Sequence, residues 1–284
     1  MNFVQIKANA KINLTLDIVG RRPDGYHELS TIMQSVDISD TVSIHRDSVI
    51  SVDCSDPTLC GSDNLAYRAA ALFFEAAGIS EGAKIEIQKQ IPKAAGLAGG
   101  SADAAAVIVG LNALYETGYD LKKLCEIGVK AGADAPFCIV GGTLLARGIG
   151  EKLSEVPPLP DCCIVVVKKG EKASTGSLYA QFDEHGARKR PDNVAMLKAL
   201  EAKDIKEIGR CLCNVFEELV PESYTTKQLM LEYGAVGSAL SGSGPSVFGI
   251  FEDIEKAKNC HKNFDQFSKI CSPARSGCDI IKVV

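Results

Sequence analysis

Residues 4 to 18 alternate without a break. Val4, Ile6, Ala8, Ala10, Ile12, Leu14, Leu16 and Ile18 fall on one side of an extended chain, and Gln5, Lys7, Asn9, Lys11, Asn13, Thr15 and Asp17 on the other. Period two predicts a half-buried strand. Arg21-Arg22-Pro23-Asp24-Gly25 has turn chemistry, followed by an extended run from His27 to Val36 and short strands near 41–45 and 49–53. A mainly antiparallel sheet is expected. Asn64 is placed to cap a helix over 65–77, which Gly78 ends. Lys84 to Ile91 alternates again. From about Ser101 to Tyr115 the chain is apolar on nearly every side of a helix, which predicts one buried at the domain centre. A helix over Asp120 to Ala131 and a strand over Gly141 to Arg147 complete this half.

Val156-Pro157-Pro158-Leu159-Pro160 can continue neither ladder nor helix, and predicts a boundary between domains 1–158 and 159–284. Beyond it come a strand over Cys162 to Val167 and helices near 192–200, 204–219 and 222–233. Strands at 235–240 and 246–251, a helix at 253–265 and a last strand near 269–274 follow. Helices and strands mixed without strict alternation indicate an α+β fold.

With 284 residues, 46% of them hydrophobic, the chain can bury a core large enough for two domains. A net charge of −5 excludes a globally basic protein that coats nucleic acid, so any anionic ligand must be met by local donors. The eleven cysteines are odd in number and sit mostly in apolar runs, among them Cys138, Cys162, Cys163 and Cys271. Cys211 and Cys213 lie two apart in a helical pattern and face different ways, so no metal spacing emerges. Buried thiols in a reducing cytoplasm are the expectation. Neither a signal peptide nor a membrane span is legible, and a cytoplasmic monomer or homodimer without nucleic-acid or membrane partners is expected.

The segment Pro92 to Ala104, PKAAGLAGGSADA, carries the chemistry. Gly96, Gly99 and Gly100 free the backbone for tight turns and for close approach to a ligand. The loop opens onto a helix near Ser101, so backbone N–H groups and the positive end of the helix dipole converge there, as a phosphate requires. A tight strand-to-helix turn is the other reading of the spacing. GxxxxGK[ST], GxGxxG and GxSxG patterns are all missing from it.

Three segments, AKINL near the N-terminus, PKAAGLAGGSADAA, and LSGSGPSVFGIF at 240–251, resemble the three motifs of the GHMP kinases in order. The resemblance implies an N-terminal α+β domain, a ferredoxin-like C-terminal domain, ATP as donor and a small-molecule alcohol as acceptor. AKINLTLDIVGRRPDGYHEL and GADAPFCIVGG are similar to the branch acting on a polyol that carries a cytidine diphosphate group. Another GHMP kinase of homoserine or mevalonate type, or an inactive nucleotide-binding relative, are the alternatives.

By resemblance, residues 94–104 (Ala94, Ala95, Gly96, Leu97, Ala98, Gly99, Gly100, Ser101, Ala102, Asp103, Ala104) hold ATP, and Asn64 and Leu65 meet adenine. Lys11, which the alternation alone would leave in solvent, becomes one member of the catalytic pair. Asp134, before Ala135-Pro136, could be a helix cap, and by resemblance accepts the hydroxyl proton. Asn13 resembles a substrate-binding asparagine. Tyr26 would stack on cytosine, His27 bond its edge, and Thr175 and Tyr179 form a second wall. Alanines at 94, 95, 98 and 102 replace the family's frequent glycine or serine, and Lys93 could add a donor to ATP. Mg2+ follows from ATP chemistry alone, with Ser101 or water as oxygen donors.

Overall fold

The computed structural model describes residues 1–171 and 174–284. The first half contains β1 (Phe3–Arg21), β2 (His27–Asp47), β3 (Ser51–Cys54), α1 (Leu65–Ala77), β4 (Gly82–Gln88), α2 (Gly99–Leu114), α3 (Leu121–Ala131), α4 (Ala135–Val140), β5 (Thr143–Gly148) and β6 (Lys152–Glu155). The second half contains β7 (Cys163–Lys168), α5 (Thr175–His185), α6 (Asn193–Glu201), α7 (Ile205–Cys211), β8 (Cys213–Asn214), α8 (Glu222–Glu232), β9 (Gly237–Leu240), β10 (Ser246–Phe251), α9 (Ile254–His261), β11 (Phe267–Cys271) and β12 (Cys278–Val283). This is the α+β architecture expected. No helix among the described residues is long and apolar enough to cross a membrane.

The first sheet runs β12-β1-β2-β4-β3, with β5 and β6 continuing from β2. Where the sequence predicts two strands, β2 is one. Its pairing with β1 passes from Ser39 to Val36, so Asp37 and Ile38 bulge and absorb the break in alternation. The expected cap forms at α1, where Asn64 accepts from the Ala66 N–H at 2.8 Å and Gly78 closes the end at φ 63°. The α2 helix is buried on nearly all sides, as its composition predicts. Gly110 lets it lie on the sheet, since a Cβ there would stand 2.6 Å from Ile6 and Ile44.

The second sheet, β11-β7-β10-β9, is antiparallel throughout. Two strands cross the expected 158/159 division: β12 lies antiparallel to β1, and β8 pairs with β1 at Thr15 and Leu16. The expected helix over 204–219 ends at Cys211, because Asn214 is drawn into tertiary bonds with the Leu240 and Gly242 carbonyls at 2.9 and 2.8 Å. Cys213 therefore lies on a strand, not on the helix that the pattern suggested. The cysteines are free thiols, but not uniformly buried: Cys138 and Cys271 are, Cys162 and Cys163 are half-buried, and Cys60 is exposed.

The polar side of β1 departs from expectation. Asn9, Lys11, Asn13 and Thr15 are all buried, against the half-buried strand expected from alternation. Asn9 donates to the Ser276 carbonyl at 3.0 Å and to Asp279 at 3.2 Å, beside β12. A buried polar row needs such partners, and both halves supply them: Asn13 accepts from the Gly242 N–H and Thr15 from the Ile32 N–H.

Candidate active site

A cavity of about 920 Å³ opens between the two halves, lined on one side by Lys11, Asn13, Gly96, Gly100 and Asp134, and on the other by Thr175, Tyr179, Phe216, Gly242 and Ser243. Ala98, at φ 58°, is the residue before α2, and its side chain makes no capping bond. The first turn leaves the N–H groups of Gly99, Gly100 and Ser101 without intrahelical acceptors, at the positive end of a helix of 16 residues. An anion placed there meets three donors.

The loop before α2 is braced from behind. The Ser246 N–H donates to the Ala95 carbonyl at 3.2 Å, the Ser241 hydroxyl to Gly96 O at 3.0 Å, and the Lys11 N–H to Leu97 O at 3.1 Å. Gly96 sits at φ 77°, and a Cβ there would stand 2.1 Å from the Ser241 carbonyl oxygen. Two alanines, Ala94 at φ 51° and Ala98 at φ 58°, occupy left-handed backbone. That conformation costs a non-glycine residue roughly 1–2 kcal/mol, so the fold imposes the path that glycine would adopt freely.

Not every residue of the expected phosphate segment faces the cavity. Leu97, Ala102 and Ala104 turn into the hydrophobic core, because one side of α2 must pack. Asp103 is held at 2.6 Å by Lys89, whose ammonium also meets Asp40 at 2.5 Å. Burial pushes the Asp103 carboxyl up, against the pull of Lys89, and the charge of Asp40 adds to the rise. Asp40 also accepts the Gln90 and Ile91 N–H groups at 2.5 and 2.8 Å, fixing the approach to the loop. Lys93 lines the cavity and spends one of its three N–H donors on the Thr58 hydroxyl at 3.0 Å.

Lys11 Nζ lies 3.9 Å from Asp134 Oδ2 and 2.7 Å from Asn13 Oδ1. Asp134 does precede α4 in the cap position, yet its side chain makes no capping bond. The carboxylate is thereby left to the cavity, a third exposed beside a buried ammonium. Such a pair can steady an ionised acid and the charge of a moving phosphoryl group.

At the other end, His27 Nε2 lies 2.7 Å from Asp183 Oδ1. Its ring stacks on Tyr179 at 4.5 Å and 21°, and Tyr179 meets Phe216 edge-on at 5.1 Å. Burial pushes the Tyr179 phenol up to about 12. Tyr26 is 62% exposed at the rim. Thr175 and Ser243 hydroxyls lie 3.3 Å apart across the opening, and Asn64 and Leu65 line the far wall.

Sequence reasoning missed Lys89, Asp40, Asp183, Thr31 and Phe216. Lys89 read as an ordinary position of an alternating strand, and Asp40 fell between two expected strands. Asp183 fell where no element was expected, and Phe216 inside the overlong helix. Only the convergence of Asp40, Lys89 and Asp103 in space reveals a network.

The model of the GHMP kinases N terminal domain matches residues 64–142, and that of the GHMP kinases C terminal domain residues 196–268. The chain is 46% identical over 263 residues to 4-diphosphocytidyl-2-C-methyl-D-erythritol kinase of Acetivibrio thermocellus, covering 90% of this chain and 93% of the relative. The same kinase of Caldicellulosiruptor saccharolyticus is 46% identical over 253 residues, covering 87% of each. A crystal structure of 4-(cytidine 5'-diphospho)-2C-methyl-D-erythritol kinase superposes with a TM-score of 0.81 at 33% identity, over 95% of this chain and 99% of that one. Homoserine kinase from Cytophaga hutchinsonii shares the fold, with a TM-score of 0.77 at 20% identity over 99% and 98% of the two chains. With both halves matched and relatives this similar along nearly the whole length, the chain belongs to the GHMP kinases, and within them to the 4-diphosphocytidyl-2-C-methyl-D-erythritol kinases.

Proposed function

We propose that the protein transfers the γ-phosphoryl group of ATP to the 2-hydroxyl of 4-diphosphocytidyl-2-C-methyl-D-erythritol, in the non-mevalonate route to isoprenoid precursors. The observation that carries this reading is the Lys11–Asp134 pair, 3.9 Å apart in the cavity onto which the N-terminus of α2 opens. The N–H groups of Gly99, Gly100 and Ser101 hold the donor phosphates, with Asn64 and Leu65 at the adenine. Asp134 orients the acceptor hydroxyl and takes its proton as the oxygen attacks phosphorus. Lys11 balances the charge that shifts between them. Positioning and electrostatics account for most phosphoryl-transfer catalysis, which suits so sparse a set of groups.

The cytidine end of the acceptor falls to Tyr26, His27, Thr175 and Tyr179, and Asn13 lies nearer the reacting hydroxyl. For magnesium, the described residues contain no cluster of three metal-binding side chains. They fit an ion carried on the nucleotide phosphates, with the Ser101 hydroxyl and water as further oxygens. When bound, that ion neutralises phosphate charge.

The test is ADP release with 4-diphosphocytidyl-2-C-methyl-D-erythritol beside homoserine, mevalonate and galactose. Turnover confined to the cytidine-bearing acceptor is expected. Turnover on homoserine or mevalonate instead would move the chain to another branch, and none on any acceptor would favour an inactive relative.

A further inference from the structure

The amide of Asn13 sits in a chain of buried bonds that admits one orientation. Its Oδ1 accepts from Lys11 Nζ at 2.7 Å and from the Gly242 N–H at 2.9 Å. Its Nδ2 donates to Thr31 Oγ1 at 2.8 Å, and the Thr31 hydroxyl donates to the Thr15 carbonyl at 2.6 Å. An ammonium and a backbone N–H only donate, so the amide end between them must be oxygen. The single Thr31 proton is spent on Thr15, so Thr31 meets Asn13 as an acceptor and requires nitrogen there. A flipped amide would set NH2 against two donors.

Both lone pairs of Asn13 Oδ1 are therefore committed, one to Lys11 and one to the loop from the second half of the chain. That loop is close: a Cβ on Gly242 would stand 3.3 Å from Lys11 Nζ. Thr15 closes the chain from the other side, its hydroxyl accepting the Ile32 N–H at 3.0 Å. Lys11, Asn13, Thr15 and Thr31 are all buried, where an unpaired polar group is costly and a satisfied network is rigid.

We propose that Thr31 is a positioning residue for phosphoryl transfer: by fixing the Asn13 amide it aims the Lys11 ammonium toward Asp134 and ties it to the Gly242 loop. The inference rests on the reading of Lys11 and Asp134 as the reacting pair. It assigns Thr31 an action through Asn13, although the residue also borders the cavity.

Thr31→Val removes the hydroxyl at nearly constant volume. The expected result is a kcat lowered about tenfold with both KM values within about twofold, the pattern of a misaimed group rather than a lost contact. Thr31→Ser should regain most of the lost kcat. Thr31→Val combined with Asn13→Ala should show the kcat of Asn13→Ala alone, because the two act as one unit. Should Thr31→Val lose its cooperative melt, Thr31→Ala carries the same expectations. A raised acceptor KM at unchanged kcat, or losses that add in the double variant, would overturn the proposal. Lys11→Met run alongside separates the two readings. If it retains turnover, the pair itself is wrong; if it collapses while Thr31→Val stays normal, only the role of Thr31 fails.

Discussion

At the start of α2 the cavity presents main chain: three N–H groups, glycine and alanine, and a loop braced by backbone carbonyls. At the opposite end it presents side chains: His27 against Asp183, Tyr179 against Phe216, and Tyr26 at the rim. The first region tolerates side-chain change as long as the path of the backbone survives. Ala94 and Ala98 show this, holding left-handed geometry that a glycine would take without strain. The second has no such latitude, since its shape is its rings. A donor common to a whole family suits a backbone site, and an acceptor peculiar to one branch suits a side-chain site.

The contrast breaks most visibly at Gly96. A Cβ 2.1 Å from Ser241 O, on backbone at φ 77°, cannot be accommodated without moving the brace between the halves. Gly96→Ala should destabilise by about 3 kcal/mol and cut kcat/KM for ATP about a hundredfold, read by thermal melting and steady-state kinetics. Tyr179→Leu keeps bulk and removes the aromatic face. It should raise the KM for the cytidine-bearing acceptor about tenfold while leaving the KM for ATP in place. Equal effects on both substrates would dissolve the distinction between the two ends. The smallest change is Ala98→Gly, which relieves left-handed strain but frees the unfolded chain. A net gain of about 0.5 kcal/mol, seen as a slightly higher Tm, is expected.

Local chemistry made much of this legible. The Asn64 cap, the Gly78 stop and the all-round apolar α2 were readable because each depends on neighbours in sequence. What escaped depends on distant parts. The α7 helix stops early because Asn214 finds carbonyls 26 and 28 residues away. The β12 strand, missed altogether, has an edge position on β1 as its setting, and its alternation is poor: Ile280, Ile281 and Val283 are all exposed. The α5 helix, which carries Thr175, Tyr179 and Asp183, follows a loop and has a weakly apolar face. At the site, Lys11 was found through its motif, but its burial was not, since the Leu97 carbonyl and the Gly242 loop that close on it are distant in sequence.

In the proposed mechanism Asp134, which makes no capping bond, handles the acceptor proton beside Lys11. Asp134→Asn tests it most directly, with turnover, ATP affinity and melting temperature measured on one preparation. The proposed role predicts a kcat lowered about a thousandfold, ATP binding unchanged, and no loss of Tm, because the side chain makes no capping bond. Near-normal turnover together with a lowered Tm would contradict it and return Asp134 to the start of α4 as a structural residue.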